Sequence, residues 1–599
     1  MTDQYKTTLA SLENPEHRQR LIMVREAVES IFKRCSDDEC IPGVSFGVVV
    51  DSQLIFSNSV GKLTIQSNDP PDADSVYRIA SMTKSFTAAA VLHLRDAGKL
   101  GLDDSISTHV PEFESLLYPT EDSAEITVRD LLTMSSGWPE DNPWADRQLY
   151  RTNESISELY EDGVTFSNPP GVLFEYSNYG YMVLGRVITS AAREPMIDYI
   201  ERILLKPLGM KSTGWHSVVI PHVRCAQGYR WEDNAWYEEQ SLPSGGDCAA
   251  FGGLHSTVRD LSRWIGFFQS AWPPRTAPDD GPLRRSSLRE MQQMLRTTIP
   301  MVRNWQLGSQ PKVSTYGYGY GLSVCHRPRW RSVGHSGGLP GFGSHMEWIP
   351  EHGVGVIALG NSTYAKVRDA CLDSLEELIS AAMPCPRIPA LTPALESAHD
   401  NICQLFNAWD ETLADRVFAD NFFLDSNREH WKARLAELNR VHGHVCRGEK
   451  ITPQNWLRGQ RRLYGERGWC DVWMSLTPTV PPRVQQLKIR SVLPPSPRMS
   501  KVAGNIVKLT ECPVRSILDE VLAPDCDHES IWNQLQLENI MYGQCSLREV
   551  VRGDGRHWAV FRLDAKGQSL LLEVHINLDG KIVNASFAAE FVQEVSCFE

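Results

Sequence analysis

The chain has 599 residues, of which 42% are hydrophobic and 22% charged, with a formal net charge of -14. That is a globular composition, long enough for a large core and for more than one domain. The acidic balance and the lack of any basic block argue against a nucleic-acid binder and against a chain seated on an anionic membrane.

From Met1 to Phe32 the sequence is polar and mixed in charge, with no apolar h-region and no small-residue cleavage site, so no secretory leader is expected. No run of eighteen apolar residues occurs anywhere, so no transmembrane helix is expected. The 14 cysteines are scattered, without Cys-x-x-Cys or zinc spacing, and read as reduced, buried small hydrophobes. A cytoplasmic protein is the expectation.

Residues 44–60 read as two strands joined by a turn at Asp51-Ser52. A mainly helical region follows to about Leu208, interrupted by the turn-rich "SSGW" (135–138) and "NPPGVLFEYSN" (168–178). Strand patterns return at 316–324, 330–338, 343–350 and 353–362, and a helix at 365–383 closes this region. Strands, helices, then strands predict one sheet with early edge strands, late central strands and an inserted helical lobe. Four prolines within 383–395 mark a break that neither helix nor central strand accommodates. Beyond it, helices followed by alternating strands occur twice, with hairpin signals at Asp554-Gly555 and Asp579-Gly580. The domain expectation is therefore a unit over 20–385, a linker over 386–396, and two α+β units over 397–495 and 505–599, a candidate repeat.

Three short segments carry chemistry. Ser-x-x-Lys occurs four times, at Ser30–Lys33, Ser59–Lys62, Ser81–Lys84 and Ser309–Lys312, so the pattern alone selects nothing. At Ser81 it opens an alanine-rich helical stretch, where residues three apart share a face; the serine there suits either an N-cap or a nucleophile with its base. Tyr176-Ser177-Asn178 is the only Tyr-x-Asn and stands at a turn leading into a helix. His335-Ser336-Gly337-Gly338 lies in a strand whose glycines let something approach the main chain.

In this order the three segments resemble the penicillin-recognising serine hydrolases, and within them the class C β-lactamase, esterase and D-aminopeptidase branch (peptidase family S12). "TVRDLLTMSSGW", "LLKPLGMKSTGW", "FGGLHSTVRDLSRW" and "GKLGLDDSISTHVPEF" resemble connecting segments of that family, over residues 20–385. The resemblance implies an α/β (α+β) fold of β-lactamase/transpeptidase type, with an antiparallel sheet, helices on both faces and a helical lobe. It implies Ser81 as nucleophile, Lys84 as its base and Tyr176 as a proton-sharing partner. Asn178 would hold a carbonyl or amide of the acyl group, and Ser81 and Gly338 would supply oxyanion-hole amides beside Gly337. His335 stands where many relatives have a lysine that meets a substrate carboxylate, and a histidine attracts that carboxylate less. No metal or organic cofactor is required.

The expected activity is acyl-enzyme hydrolysis of a small ester, amide or thioester. An acyltransferase of the same fold in secondary metabolism, taking its group from an acyl-carrier or CoA thioester, stays open. So does a catalytically silent binding protein. Self-association through the C-terminal units also stays open.

Overall fold

The computed structural model describes residues 15–589 apart from 216–223, 241–242, 276, 299–300, 304–311, 328–329, 383–386, 388–389, 447 and 566–567. Ser309, the first fourteen residues and residues 383–386 and 388–389 of the proline-rich break lie outside the described residues. The chain divides into two compact units, one dominated by residues 9–387 and the other by 388–599.

The first unit is built on a nine-stranded sheet. Strand β1 (Gly43–Val50) is buried along its whole length, as its run of valines demands. A hairpin through Asp51 and Ser52, at φ 47° and 68°, returns it as β2 (Gln53–Gly61). The later strands are β3 (Lys312–Tyr318), β4 (Ser323–His326), β5 (Arg331–Leu339), β6 (Phe342–Ile349) and β7 (Val354–Gly360). The order across the sheet is β2-β1-β7-β6-β5-β4-β3, antiparallel throughout. The early hairpin thus forms one edge, as expected. The far edge is also late in sequence, since Arg296–Thr297 and Met301–Arg303 pair with β3.

Helices cover both faces. On one, α1 (Arg25–Asp38) packs with a C-terminal helix of the unit, Val367–Glu377, over a core that includes Phe32 stacked on Phe46. The other face carries the larger core and the helical lobe. Its spine is α2 (Thr83–Asp96), buried on nearly every side, which is the place for an all-round apolar, alanine-rich helix. Alongside lies α3 (Asn178–Ala192), also buried for most of its length. Helix α4 (Val258–Ser270) presents Leu261, Trp264, Ile265 and Phe268 at helical spacing, with Trp264 stacked on Phe86 and Phe268 on Trp348. The Val367–Glu377 helix is α5.

In the second unit the proline-rich break ends sooner than its composition suggests. Helix α6 (Pro393–Asn407) starts inside the expected linker, with Thr392 accepting a hydrogen bond as N-cap and Pro393 at the first position, where a missing N–H costs nothing. Two halves follow the same plan. In the first, α6 and α7 (Arg428–His442) precede strands β8 (Thr452–Asn455), β9 (Arg458–Gly465), β10 (Gly468–Leu476) and β11 (Val484–Val492). In the second, α8 (Pro497–Glu511) and α9 (His528–Tyr542) precede β12 (Cys545–Gly553), β13 (Trp558–Ala565), β14 (Gln568–Ile576) and β15 (Ile582–Ala589). Each half has its own apolar core. The halves join into one eight-stranded sheet through a short parallel contact, Val492 beside Gly553. A cavity of about 500 Å³ spans the join, lined by Arg462, Asp471, Trp473, Lys488, Glu549 and Arg562 among others. Its lining is predominantly basic, seven lysines and arginines against Glu449, Asp471 and Glu549, with Arg462 2.8 Å from Asp471 and 3.2 Å from Glu549. Among the described residues, no helix is long and apolar enough to cross a membrane.

Candidate active site

Ser81 is not the cap of α2. It lies in a 3-10 turn, Ala80–Met82, and the residue at the helix N-cap is Met82, whose side chain makes no capping bond. The chain enters this turn through Ala80 at φ 49°, a left-handed conformation that costs an alanine on the order of 1 kcal/mol. Surrounding bonds hold it there. Ile79 N–H donates to the Leu254 carbonyl at 3.0 Å, Ser344 Oγ donates to the Ile79 carbonyl at 2.8 Å, and Thr83 Oγ1 donates to the Ala80 carbonyl at 2.6 Å. The serine hydroxyl is thereby left free of backbone duty.

The lysine one turn on reaches it. Lys84 is fully buried, and its Nζ donates to Ser81 Oγ at 3.0 Å, Asn178 Oδ1 at 2.6 Å and the Phe251 carbonyl at 2.9 Å. The rings of Tyr176, Phe251 and Tyr181 stand 4.9, 5.3 and 5.5 Å from the nitrogen. Burial pushes the amine down from 10.5 to about 7, against the opposing pull of Asp146 and Asp141. Near neutrality it therefore exchanges its proton. Once neutral it keeps two N–H donors for Asn178 and Phe251 and turns its lone pair to Ser81, as a general base must.

Asn178 sits at the start of α3, where Ser177 caps by accepting from Gly180 N–H. Asp141, reaching in from a loop, accepts from the Asn178 and Tyr179 amides, each at 2.8 Å, and from Asn178 Nδ2 at 3.1 Å. Asn142 Oδ1 accepts from the same Nδ2 at 2.8 Å. Asn178 is 0% exposed. Its amide is thus committed on both ends, and it orients Lys84; the substrate contact expected from the resemblance is not open to it in this arrangement.

Tyr176 precedes the cap, part-exposed, and shares a side-chain hydrogen bond with Ser81. Burial pushes its phenol well above the ordinary tyrosine range, with the Ser81 bond working the other way. It is a neutral phenol at any physiological pH, fit to relay a proton and not to hold a resting negative charge.

His335, on β5, is 3% exposed and faces this cluster. Tyr318 OH lies 2.9 Å from its Nε2 and the Ser336 carbonyl 2.5 Å from its Nδ1. A carbonyl only accepts, so the proton is on Nδ1 and Nε2 accepts from Tyr318. Burial, followed by the Lys84 charge, pushes the imidazole down to about 3. The ring is therefore neutral with both nitrogens occupied, and it offers a substrate carboxylate less than even a partly charged histidine would.

The glycines have separate duties. A Cβ on Gly337 would come 2.1 Å from the Ile79 carbonyl and 3.1 Å from Ala80 Cβ, so this glycine lets β5 lie against the turn that carries Ser81. A Cβ on Gly338 would meet the Tyr364 ring at 2.6 Å. Tyr364 OH donates at 2.8 Å to buried Asp146, whose carboxyl burial raises to about 6. Asp141, Asn142, Asp146, Phe251, Tyr318 and Tyr364 belong to none of the three motifs that the sequence presents. The only hint of them is "DNPWAD" (141–146), where two aspartates and an asparagine stand close together in sequence. Among the described residues, no group of three or more His, Cys, Asp or Glu side chains is placed to hold a metal ion.

The sequence profile of the family described as Beta-lactamase matches residues 28–378, which contain every residue of this cluster. The chain belongs to the Beta-lactamase family. Among curated proteins, it is similar to Protein flp of Staphylococcus aureus (strain NCTC 8325 / PS 47), 26% identical over 338 residues, which are 56% of this chain and 63% of that protein. It is also similar to Beta-lactamase-like protein 2 of Dictyostelium discoideum, 30% identical over 255 residues, 41% of this chain and 46% of that protein. The chain thus spans less than two thirds of the length of these curated relatives. Among solved structures, an octameric penicillin-binding protein homologue from Pyrococcus abyssi aligns with TM-score 0.48 and 18% identity, over 94% of this chain and 98% of that one. A penicillin binding protein from Bacillus halodurans aligns with TM-score 0.44 and 20% identity, over 58% and 99%. The family match falls on the first unit; residues beyond 378 lie outside it.

Proposed function

We propose that the Beta-lactamase-family unit is a serine acyl-enzyme hydrolase acting on small esters, amides or thioesters. The observation that carries this reading is the 3.0 Å contact between Ser81 Oγ and a lysine amine lowered to about 7. Neutral Lys84 takes the Ser81 proton as Oγ adds to the acyl carbon. The Tyr176 phenol, bonded to Ser81, passes a proton to the leaving group and is reprotonated through Lys84. The amides of Ser81 and Gly338 receive the developing oxyanion, each donor being worth on the order of a hundredfold in rate. Water then attacks the acyl-enzyme, with the same two groups returning the proton.

The neutral His335 bears on substrate choice. With Tyr318 donating to its Nε2, it offers no cation, so the site favours acyl groups without a carboxylate beside the scissile bond. The test compares acylation by neutral p-nitrophenyl esters with acylation by a carboxylate-bearing chromogenic β-lactam, on wild type and Ser81→Ala. The expected result is ester turnover at least tenfold faster in kcat/KM and lost in the variant. Faster β-lactam turnover would overturn the substrate reading. Unchanged ester turnover in Ser81→Ala would overturn the mechanism. Adding alcohols or amines during turnover separates hydrolysis from acyl transfer.

A further inference from the structure

Strand β5 carries chemistry on both of its faces. Alternation sends His335 and Gly337 toward Ser81 and sends Ser336 to the opposite face of the sheet, where it is exposed. Directly across the ladder stands His345 on β6. Ser336 Oγ lies 2.8 Å from His345 Nδ1, and His345 Nε2 lies 2.9 Å from Glu347 Oε2, two residues further along the same face. A carboxylate only accepts, so the imidazole proton is on Nε2, and Nδ1 presents its lone pair to the serine hydroxyl. His345 and Glu347 are 2% and 5% exposed. The carboxylate is held in turn by Ser332 Oγ and by Arg327, whose Nη1 lies 3.6 Å from Oε1 and donates to Ser332 Oγ at 2.9 Å. Burial works against the charge of Glu347, but His345 first, then Arg327 and Ser332, bring its carboxyl down to about 2, so it is ionised throughout the working range.

We propose that Ser336, His345 and Glu347 form a second nucleophilic site, separate from Ser81, that takes an acyl or phosphonyl group from activated electrophiles. The arrangement is a nucleophile bonded to a base and a base bonded to an orienting acid, fixed by two adjacent strands. In the step, Ser336 Oγ bonds to the carbonyl carbon or phosphorus and its proton passes to His345 Nδ1. The bond to nitrophenolate or fluoride breaks, and the proton leaves with that group. Glu347 holds the imidazolium between the two events. Arg368, its guanidinium 5.1 Å from the Tyr316 ring centre, and Asp369 act electrostatically on His345 with opposite signs. A hydroxyl merely satisfying a buried histidine would have no reason to be the exposed member of the chain.

The test uses the full-length Ser81→Ala protein, treated with a fluorophosphonate and, separately, with p-nitrophenyl acetate, then digested with trypsin and mapped by mass. The expected adduct lies on the peptide of residues 332–366, at Ser336. It is absent from Ser81→Ala/Ser336→Ala and forms at least about tenfold more slowly with His345→Gln or Glu347→Gln added. Glu347→Gln keeps the shape and hydrogen-bonding size of the side chain, so it serves if the histidine variant does not fold. A folded Ser81→Ala protein with no adduct at Ser336 overturns the proposal. So does labelling of Ser336 at an unchanged rate in the Glu347→Gln protein.

Discussion

Lys84→Met removes the amine at nearly constant volume and tests the electrostatics of the site by stability alone. Burial lowers this lysine from 10.5 to about 7, while in the unfolded chain it keeps its ordinary affinity for protons. Between those two values the unfolded state binds a proton that the native state has shed, so native stability rises with pH, by about 1.4 kcal/mol per pH unit at full difference. Allowing for partial protonation near neutrality, wild type gains about 3 kcal/mol relative to the variant between about pH 7 and about pH 9.5. The variant also strips the Asn178 and Phe251 acceptors of their donor, costing about 1–3 kcal/mol each, but that loss does not vary with pH and drops out of the difference. Asp146, raised to about 6, titrates below this window. The assay is urea unfolding of both proteins at the two pH values, followed by tryptophan fluorescence. A stability difference that stays constant within about 0.5 kcal/mol would show that Lys84 remains an ordinary ammonium and would refute the account of the base.

Further outcomes follow from the same geometry. In wild type, acylation by a neutral ester rises with pH through about 7 as Lys84 loses its proton, then levels; a flat profile over pH 5–9 contradicts it. Tyr176→Phe keeps the ring against Lys84 but removes the relay hydroxyl, so kcat/KM falls by about 10²–10⁴ while the pH profile keeps its inflection near 7. Gly337→Ala puts a methyl against the Ile79 carbonyl and moves the Ser81 turn, costing about 1–3 kcal/mol in thermal unfolding and about a hundredfold in kcat/KM. Asp141→Ala leaves the Ser177 cap of α3 but deprives the Asn178 and Tyr179 amides of their acceptor and releases Asn178, with a loss of about 1–2 kcal/mol of stability and slower acylation at unchanged KM.

What the sequence reveals follows from how local each cause is. Ser81 and Lys84 are one helical turn apart, and the hairpin at Asp51-Ser52 is written in two adjacent residues. The central late strands are instead short segments between turn residues, buried along their whole length, and the sheet and its covering helices are legible for that reason. The partners that shape the site are remote. Asp141 lies 37 residues from Asn178, and Phe251 contributes a backbone carbonyl, which no side-chain pattern encodes. The role of Gly337 was half legible: a close approach was expected, but what approaches is the nucleophile's own turn. The state of His335 depends on burial and on Tyr318, neither visible in "GHSGG". The proline-rich break misled at its end, because Pro393 is tolerated at the first position of a helix. The hairpins of the C-terminal halves were readable from Asp-Gly turns, whereas the parallel contact that joins them rests on the meeting of Val492 and Gly553.

The most direct test of the central claim is peptide mapping of the full-length protein after brief exposure to a fluorophosphonate. Trypsin releases Ile79–Lys84, so a phosphonyl group on Ser81 is distinguishable from one on Ser336. The account predicts an adduct on Ile79–Lys84 in wild type that is lost in Ser81→Ala, and that forms much more slowly in Lys84→Met, where the corresponding tryptic peptide runs from Ile79 to Arg95. A folded wild-type protein whose Ile79–Lys84 peptide stays unmodified, whatever happens elsewhere, contradicts it.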